Sequence, residues 1–314
     1  MKIGVVGYGN LGKAIAKLSR ERNDVELSGI FSRRSVSSEY APVYSIGELY
    51  NFKDKLDCLI LAGGSFSDLP KLSPRLAMDF NIVDSFDNHK MAKEHFENVN
   101  ARSLSGKHSA IVSAGWDPGF FSLFRVIGKS FFPNAAVSSF WGRGVSQGHS
   151  EALRRIDGVK YAVEYTVPKE EEMKKAREGI VCDAKSAHVR ECYVVAEEGH
   201  FSEIEEKIKA IPEYFRGYET IVNFITEEEF LNNHNKLYHG GRVIFCEKTD
   251  AESEEKFTME LSLGMTSNPE LTANILLSYA QASKRLFDMC DFGAKTPLHV
   301  PPSLLFDGDL FDLI

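Results

Sequence analysis

Gly7, Gly9 and Gly12, near the start of the chain, stand at the spacing Gly-x-Gly-x-x-Gly, which is suited to holding phosphate groups. Gly7 permits a tight turn, Gly9 lets the backbone approach a pyrophosphate, and Gly12 lets a helix pack closely on a strand. An apolar run at residues 2–6 precedes the glycines, and a helix is expected over residues 11–22. Strand, turn and helix in this order predict a dinucleotide-binding turn with the phosphates at the helix N-terminus; an ordinary glycine turn is the alternative.

Two arginines, Arg33 and Arg34, follow the second predicted strand at residues 25–32. A turn that binds NAD carries Asp or Glu at this place for the 2′-hydroxyl of the ribose, and this chain has Ser32 and the two arginines instead. A carboxylate would repel a 2′-phosphate, whereas guanidinium groups form charge-assisted, two-pronged hydrogen bonds with it. The segment therefore predicts NADP(H) rather than NAD(H), with a solvated basic loop as the alternative.

Carboxylates stand in loops that follow further predicted strands. The runs expected to form these strands are residues 57–61, 81–83 and 109–113. In an open parallel sheet, ligands lie outside the carboxyl ends of the strands. The loops at 62–68, 85–89 and 114–119 are therefore expected to converge around the reactive end of the cofactor. Asp87 and Asp117 stand in two of these loops, and for each the alternative is that it only caps a helix.

The composition excludes several classes of protein. At 314 residues the chain is long enough for two domains, and 43% hydrophobic with 26% charged residues is ordinary for a globular protein. A formal net charge of −8 argues against a nucleic-acid or anionic-membrane surface. The five scattered cysteines form no metal-binding spacing, and no apolar run approaches a membrane span or a signal peptide. We expect a cytoplasmic protein with reduced thiols, no metal, no nucleic-acid partner and no membrane association.

The remaining segments are expected to form strands interleaved with a few helices. The expected strands are residues 161–167, 191–196 and 219–225. The expected helices are residues 203–211 and 271–289. The charged stretch 247–256 (EKTDAESEEK) is expected to be a solvated hairpin or loop. Such a pattern suits an open sheet that binds substrate and forms a dimer, with the substrate in a cleft that closes between two domains.

A series of motifs in this order resembles the meso-diaminopimelate dehydrogenase family, and the likeness spans nearly the whole chain. The most specific motifs are SAGWDPG (113–119) and FWGRGVSQGHSEALRRIDGV (140–159), joined by FSRR, DSFDNH, HGG and NPELTA. The resemblance implies an α/β fold and a homodimer. A Rossmann-type domain at 1–118, completed by about 270–314, would bind the dinucleotide. An α+β domain at 119–269, with an open mixed sheet, would bind substrate and dimerise.

The resemblance also implies a reaction and a site. The family catalyses reversible, NADP-dependent oxidative deamination of meso-2,6-diaminopimelate at its D-centre, yielding L-2-amino-6-oxopimelate, ammonia and NADPH. The implied nucleotide contacts are Gly7, Gly9, Asn10, Leu11, Gly12, Ser32, Arg33, Arg34, Ala62, Gly63, Gly64, Ser65, Ser85, Phe86, Asp87, Ala114, Gly115, Trp116, Asp117 and Pro118. The implied substrate contacts are Asp87, Asp117, Trp141, Gln147, Gly148, Thr166, Arg190, His239 and Asn268.

The substrate carries two ammonium and two carboxylate groups, so its site needs acceptors at one end and donors at the other. Asp87 and Asp117 are the expected acceptors and the candidates for proton transfer, either directly or through water. Arg190 is an expected donor at the far end, and Arg177 is a rival for that role. His89 and His149 are interpreted as supporting or structural residues.

Taken singly, most of the far-end residues also have an ordinary structural interpretation. Trp141 suits a core, Thr166 a strand and His239 a turn, while residues 147–149 suit a loop and Asn268 a turn before a helix. Only their occurrence together with the nucleotide motif favours a binding site. Two other functions stay open: an NADP-dependent reductase or dehydrogenase for another small substrate, and an NADPH sensor without catalysis.

Overall fold

A computed structural model of the chain describes residues 1–212, 214–234, 236–248 and 255–314. These residues divide into two compact units. The first comprises Met1–Val126 together with Pro269–Ile314, and the second comprises Ile127–Asn268.

Strands and helices alternate through most of the chain. The strands are β1 (Lys2–Val6), β2 (Glu26–Ser32), β3 (Val43–Ser45), β4 (Cys58–Leu61), β5 (Ile82–Asp84), β6 (Ser109–Ile111), β7 (Ala136–Trp141), β8 (Gly144–Val145), β9 (Val159–Pro168), β10 (His188–Ala196), β11 (Glu219–Phe224), β12 (His239–Lys248), β13 (Lys256–Met265) and β14 (Gly293–Lys295). The helices are α1 (Asn10–Ser19), α2 (Leu69–Leu76), α3 (Ala92–Gly106), α4 (Phe120–Phe131), α5 (Gln147–Arg154), α6 (Glu170–Arg177), α7 (Phe201–Ala210), α8 (Glu227–Asn233) and α9 (Asn268–Asp288). By the criteria of helix length and apolarity, none of the helices described is a candidate to cross a membrane.

The first unit is built on a parallel sheet of seven strands in the order β14-β6-β5-β4-β1-β2-β3. The predicted strand, glycine turn and helix are confirmed as β1, residues 7–9 and α1, although the helix ends at Ser19 rather than near Arg22. Because all seven strands point the same way, every loop that leaves a carboxyl end emerges at one edge of the sheet. That edge carries the glycine turn and the three predicted loops.

Both faces of this sheet are covered, and β4 shows how. Along β4, Cys58 and Ile60 pack in one apolar cluster with residues of α1 and α9, whereas Leu59 and Leu61 pack in a second cluster with residues of α2 and α3. Successive side chains of a strand point to opposite faces, so a strand covered on both sides must be apolar at every position. This explains the uninterrupted Cys-Leu-Ile-Leu run.

The second unit contains two sheets among the described residues. One has four strands in the order β11-β10-β9-β8, with a parallel β10–β11 pair and antiparallel pairs elsewhere. The other is antiparallel, in the order β13-β12-β7. The predicted fold class, a Rossmann-type sheet plus an α+β part with mixed pairing, is confirmed, and the mixed part is divided between two sheets. Strands β12 and β13 pair from Lys248 opposite Lys256, and residues 249–254 of the predicted hairpin lie outside the described residues.

Gly12 is required by the packing of α1 on the turn that follows β1. A Cβ at Gly12 would lie 2.1 Å from the carbonyl oxygen of Gly7, which is a backbone atom held in the turn. A Cβ at Gly9 would meet nothing within 4 Å. The glycine pattern therefore combines one position closed by packing with one position open to a ligand.

We expect Gly12→Ala to lower the free energy of unfolding by about 1–3 kcal/mol, because an added methyl group in a filled site forces the backbone apart. Gly9→Ala is the matched control and should cost less, at most about 1 kcal/mol, because alanine is a poorer N-cap than glycine but its methyl group would meet no other atom. Urea unfolding monitored by circular dichroism measures both variants. Equal stability of the two would contradict the packing assigned to Gly12.

Candidate active site

The glycine turn opens a cleft at the carboxyl edge of the parallel sheet. Gly7 donates its N–H to the carbonyl of Phe31 (2.9 Å), which joins the turn to β2, and Asn10, Leu11 and Gly12 form the first turn of α1. The cleft has a volume of about 560 Å³. The predicted nucleotide residues that line it are Gly7, Gly9, Ser32, Arg33, Arg34, Ala62, Gly63 and Gly64. The open space at Gly9 and the amide groups at the start of α1 fit a pyrophosphate.

The two arginines after β2 lie at the rim of this cleft, and both are exposed. The N–H of Arg34 donates to Ser32 Oγ (3.1 Å), which holds the end of β2 in a turn. Arg33 Nη2 lies 2.8 Å from Asp68 Oδ1, while Gly64 donates its N–H to the other oxygen of Asp68 (3.3 Å). The side chain of Arg33 is 65% exposed, so this ion pair is worth at most about 1 kcal/mol. A bound anion can therefore take the place of Asp68, a residue that the sequence analysis missed.

The three predicted loops lie side by side. The N–H of Asp87 donates to Ser65 Oγ (3.1 Å), which links the second loop to the first. The N–H groups of Phe86 and Ser113 both donate to one oxygen of Asp84 (3.1 and 3.0 Å), which links the second loop to the third. Of the other predicted contacts in these loops, Phe86, Ala114, Gly115 and Trp116 are buried, while Ser85 and Pro118 are half-buried.

Asp87 and Asp117 differ in their surroundings. Asp87 is exposed and does not cap α3, whose N-cap is Met91. The side chain of Asp117 is only 2% exposed and forms a two-pronged ion pair with Arg125 of α4, at 2.8 and 2.9 Å. A buried carboxylate needs such a partner, and the fork of Arg125 also determines the plane in which the carboxylate lies. Arg125 was not predicted from the sequence, although an arginine in the otherwise apolar run FFSLFRVIG was a usable signal.

In the second unit, strand pairing brings Thr166, Arg190 and Glu164 together. Thr166 lies opposite Arg190 in the β9–β10 ladder, and Arg190 Nη1 donates to Thr166 Oγ1. Thr166 in turn donates to Glu164 Oε1 (3.1 Å), which lies 3.5 Å from Arg190 Nη1. Glu164 is fully buried, and its second oxygen is 3.1 Å from Nδ1 of His149. His149 thus supports this cluster, as interpreted from the sequence.

Glu164, at the centre of this cluster, was not predicted from the sequence. It stands two residues before Thr166, on the same side of β9, in the otherwise mostly apolar run YAVEYTV. An acid at a buried strand position requires a cationic neighbour, and that requirement was the available signal.

Arg190 and Arg177, the two rivals for the far-end donor, have different environments. Arg190 is buried, its guanidinium carbon lies 4.2 Å from the centre of the Tyr218 ring, and its Nε has no hydrogen-bond partner within the described part of the chain. Arg177 is more exposed and pairs with Glu260 at 3.0 Å. A buried guanidinium with unused donor capacity is suited to a carboxylate ligand, whereas Arg177 already has one.

The remaining predicted far-end residues lie on neighbouring elements of the second unit. Trp141 pairs with Gly241 across β7 and β12, and His239 begins β12. Gly144, opposite Thr166 in the β8–β9 ladder, is so close to His239 that a Cβ there would lie 2.5 Å from the His239 Cα. Asn268 donates its N–H to the carbonyl of Leu237 (3.0 Å).

Gln147 and Gly148 occupy a helix rather than the simple loop that was the alternative interpretation. They begin α5, whose N-cap is Ser146. Gly148 is exposed, and a Cβ there would meet nothing within 4 Å. The side chain of Gln147 lies outside what the structure describes.

Two buried histidines of this unit favour the neutral form. Burial is the main cause that lowers the pKa of His239, whose Nδ1 lies 2.8 Å from both polar main-chain atoms of Gly240. Burial also lowers the pKa of His188, which supports Trp141: Nε2 of His188 accepts the Trp141 N–H (2.9 Å) and Nδ1 donates to the carbonyl of Ala184 (2.8 Å). Protonation of Nε2 would remove the acceptor that holds Trp141.

The parallel sheet and its glycine turn are typical of Rossmann-type oxidoreductases that use a dinucleotide. Residues 115–267 match the family model of the diaminopimelic acid dehydrogenase C-terminal domain. The meso-diaminopimelate D-dehydrogenase of Acetivibrio thermocellus is 45% identical over 313 residues, which cover 97% of this chain and 94% of that protein. The chain belongs to the meso-diaminopimelate dehydrogenase family, and the resemblance stated from its motifs is confirmed.

Two solved structures are similar over their full length. The C. glutamicum diaminopimelate dehydrogenase in complex with diaminopimelate has a TM-score of 0.94 and 39% identity, covering 100% of this chain and 98% of that one. An engineered D-amino acid dehydrogenase bound to NADP+ has a TM-score of 0.89 and 38% identity, with the same coverage. The fold class is therefore supported by relatives of known structure as well as by the strand topology.

We expect His188 to contribute to a loss of stability in mild acid. Its pKa in the folded chain lies below the ordinary value of 6.5, so the unfolded chain binds more protons as the pH falls through that value. The contribution of His188 is intact at pH 7.5 and is lost progressively as the pH falls through 6.5. His188→Gln keeps an acceptor for the Trp141 N–H and does not titrate.

Thermal melting at pH 7.5 and 5.5 measures this effect. The drop in Tm between the two values should be about 1–2 °C smaller in His188→Gln than in the wild type, since about 1 kcal/mol corresponds to a few degrees in a chain of this size. His200→Gln, at an exposed histidine, serves as the control and should melt like the wild type at both values. If Tm fell as far in His188→Gln as in the wild type, His188 would not be a source of the stability lost in acid.

Proposed function

We propose that this chain catalyses the NADP-dependent, reversible oxidative deamination of meso-2,6-diaminopimelate at its D-centre, yielding L-2-amino-6-oxopimelate, ammonia and NADPH. The full-length similarity to meso-diaminopimelate D-dehydrogenases at 45% identity carries the proposal. Such a reaction belongs to the biosynthesis of diaminopimelate and lysine. The lining of the nucleotide cleft, the carboxylates Asp87 and Asp117 in loops at the same edge of the sheet, and the buried Arg190 each support it.

The residues at the cleft fit NADP. Gly9 and the start of α1 would hold the pyrophosphate, and Arg33 and Arg34 would bind the 2′-phosphate. The phosphate would replace Asp68 as the partner of Arg33, exchanging an exposed ion pair for a contact with a more highly charged anion. When bound, NADP+ supplies a two-electron acceptor at C4 of its nicotinamide ring.

The two carboxylates are assigned to the reacting amine. Asp87 and Asp117 would accept hydrogen bonds from the ammonium group of the D-centre and position its Cα–H for transfer. The amine must lose a proton as the imine forms, and water must then be deprotonated to attack it; we assign these proton transfers to the same pair. Arg125 holds the carboxyl group of Asp117 in a defined orientation. Asp87 is exposed, so solvent water can reach its carboxyl group.

The far, L-configured end of the substrate is assigned to the residues clustered around β9 and β10. Arg190 and Thr166 would bind its carboxylate, with Glu164 behind them as the counter-charge. The other proposed contacts there are Trp141, Gln147, Gly148, His239 and Asn268. We propose further that the first unit is the dinucleotide-binding domain and the second the substrate and dimerisation domain of a cytoplasmic homodimer.

Two other functions are less well supported. A sensor that binds NADPH without catalysis does not need a buried carboxylate held in the fork of an arginine, yet Asp117 has one. A dehydrogenase for simple D-amino acids does not need a buried cation for a second carboxylate, yet Arg190 is available. The two observations together favour a substrate that is charged at both ends.

Absorbance at 340 nm with purified protein and meso-, LL- or DD-diaminopimelate tests the proposed function. NADP+ should be reduced with the meso isomer and much more slowly with the LL isomer, because only a D-centre presents its Cα–H correctly. NAD+ should be a poor substitute because it lacks the phosphate for Arg33 and Arg34. Absence of reduction with the meso isomer would overturn the proposal, and equal rates with D-alanine would replace it by a broader D-amino acid dehydrogenase.

Arg190→Met and Arg177→Met, compared as a matched pair, identify the arginine that binds the distal carboxylate. Arg190→Met should raise KM for meso-diaminopimelate by about 10–100-fold, the value of a charged hydrogen bond. Arg177→Met removes only a surface pair with Glu260 and should change this KM by less than about twofold. KM for NADP+ is the internal control and should stay the same in both. The reverse pattern would assign the role to Arg177.

A further inference from the structure

Asp84, the last residue of β5, is a fully buried carboxylate that is not among the proposed contacts of substrate or cofactor. Its side chain is surrounded by hydrogen-bond donors from four parts of the first unit. Oδ1 accepts the main-chain N–H groups of Phe86 (3.1 Å) and Ser113 (3.0 Å), and Oδ2 lies 2.6 Å from Ser73 Oγ and 2.8 Å from His95 Nε2. A charge buried so completely persists in a fold only when it is satisfied in this way.

The two main-chain donors belong to the loops that carry the proposed reacting carboxylates. Phe86 directly precedes Asp87, and Ser113 stands four residues before Asp117. The carbonyl of Asp84 accepts a further N–H from Ala114 (2.9 Å). Asp84 therefore fixes the start of both loops. Without it, the two loops would be held together only by the short β5–β6 ladder.

One of the two loops begins in a conformation that needs support, and the other packs on a neighbour of Asp84. Ser113 has a φ of +57°, in the left-handed region that side chains disfavour, and its N–H is the one bound by Asp84. The ring of Phe86 stacks on His95, with centres 4.0 Å apart and planes 13° from parallel. His95 thus contacts both Asp84 and Phe86, whose N–H Asp84 accepts. Asp84, Phe86 and His95 therefore form one packed cluster.

We infer that Asp84 is a positioning residue for the reaction: its carboxylate sets the mutual placement of the loops that bear Asp87 and Asp117. The inference rests on the proposed function for its effect on catalysis and on the hydrogen bonds alone for its effect on the loops. Asp84 itself is inaccessible and touches neither substrate nor cofactor. Small displacements of positioned groups reduce catalysis steeply, so the effect should fall on kcat rather than on nucleotide binding.

Asp84→Asn is the test variant because it keeps the size of the side chain but replaces the charge-assisted hydrogen bonds from Phe86 and Ser113 with weaker neutral ones. Its amide group would face Ser73 and His95, both of which can act as acceptors. Asn81→Ala is the matched control: Asn81 is also buried and directly precedes β5, where it donates to the carbonyl of Asp57 and accepts the N–H of Ser109, both at 2.9 Å. Asn81→Ala removes two buried hydrogen bonds, neither of which involves residues of the two loops.

With meso-diaminopimelate and NADP+, Asp84→Asn should lower kcat at least about tenfold and change KM for NADP+ by less than about twofold. Asn81→Ala should lower Tm yet keep kcat within about twofold when assayed well below its Tm. A purely structural role predicts that both variants lose Tm and keep kcat, and that result would overturn the inference.

Hydrogen exchange measured by mass spectrometry tests the same inference without the reaction. Asp84→Asn should speed exchange in peptides covering residues 85–89 and 113–117, whereas Asn81→Ala should leave these peptides unchanged. Ser73→Ala, which removes one donor from Oδ2 and leaves both loop bonds in place, should give a smaller acceleration in the same peptides and serves if Asp84→Asn does not fold. Unchanged exchange in both loops would refute the positioning role, whereas an inactive wild type would refute only the proposed function.

Discussion

The parallel direction of the seven strands in the first unit is the constraint on which the nucleotide site depends. Because β1, β2, β4, β5 and β6 all end at the same edge, the turns that follow them become neighbours whatever their separation in the chain. Parallel pairing also requires both faces to be covered, and the two apolar clusters of α1 with α9 and of α2 with α3 meet that requirement. Position at this edge, rather than any local motif, is what relates the glycine turn to Asp87 and Asp117.

Buried charge is the second constraint, and each unit satisfies it in its own way. In the first unit, Asp117 is held by the fork of Arg125 and Asp84 by a ring of donors. In the second, Arg190 and Glu164 neutralise each other across Thr166. Removing one member of such a set leaves an unpaired charge in a medium that solvates it poorly, which costs more than a lost surface contact. The polar groups of the site are therefore held by partners that have no direct part in the proposed chemistry.

Much of the fold was predictable from the chain alone, because its signals are local. The strand, glycine turn and helix at residues 2–19 follow from residue spacing within one short segment. Strands β9, β10 and β11 and helices α7 and α9 lie within three residues of the predicted bounds. The division of the mixed part into two sheets was not predictable, since β7 pairs with β12 about a hundred residues later and no local pattern announces such a partner.

The candidate site was predictable for residues that belong to quoted motifs and not for the residues that support them. By itself the sequence determined the Rossmann-type turn, the basic pair that favours a 2′-phosphate and membership of the family, because glycine spacing and residue type act within a few positions. Only the tertiary structure decided that Asp84 binds the amide of Ser113 and that Glu164 faces Arg190, partners 29 and 26 residues apart. The physical reason is that a buried charge is satisfied by whichever donors strand pairing brings to it, and that pairing is a property of the whole sheet.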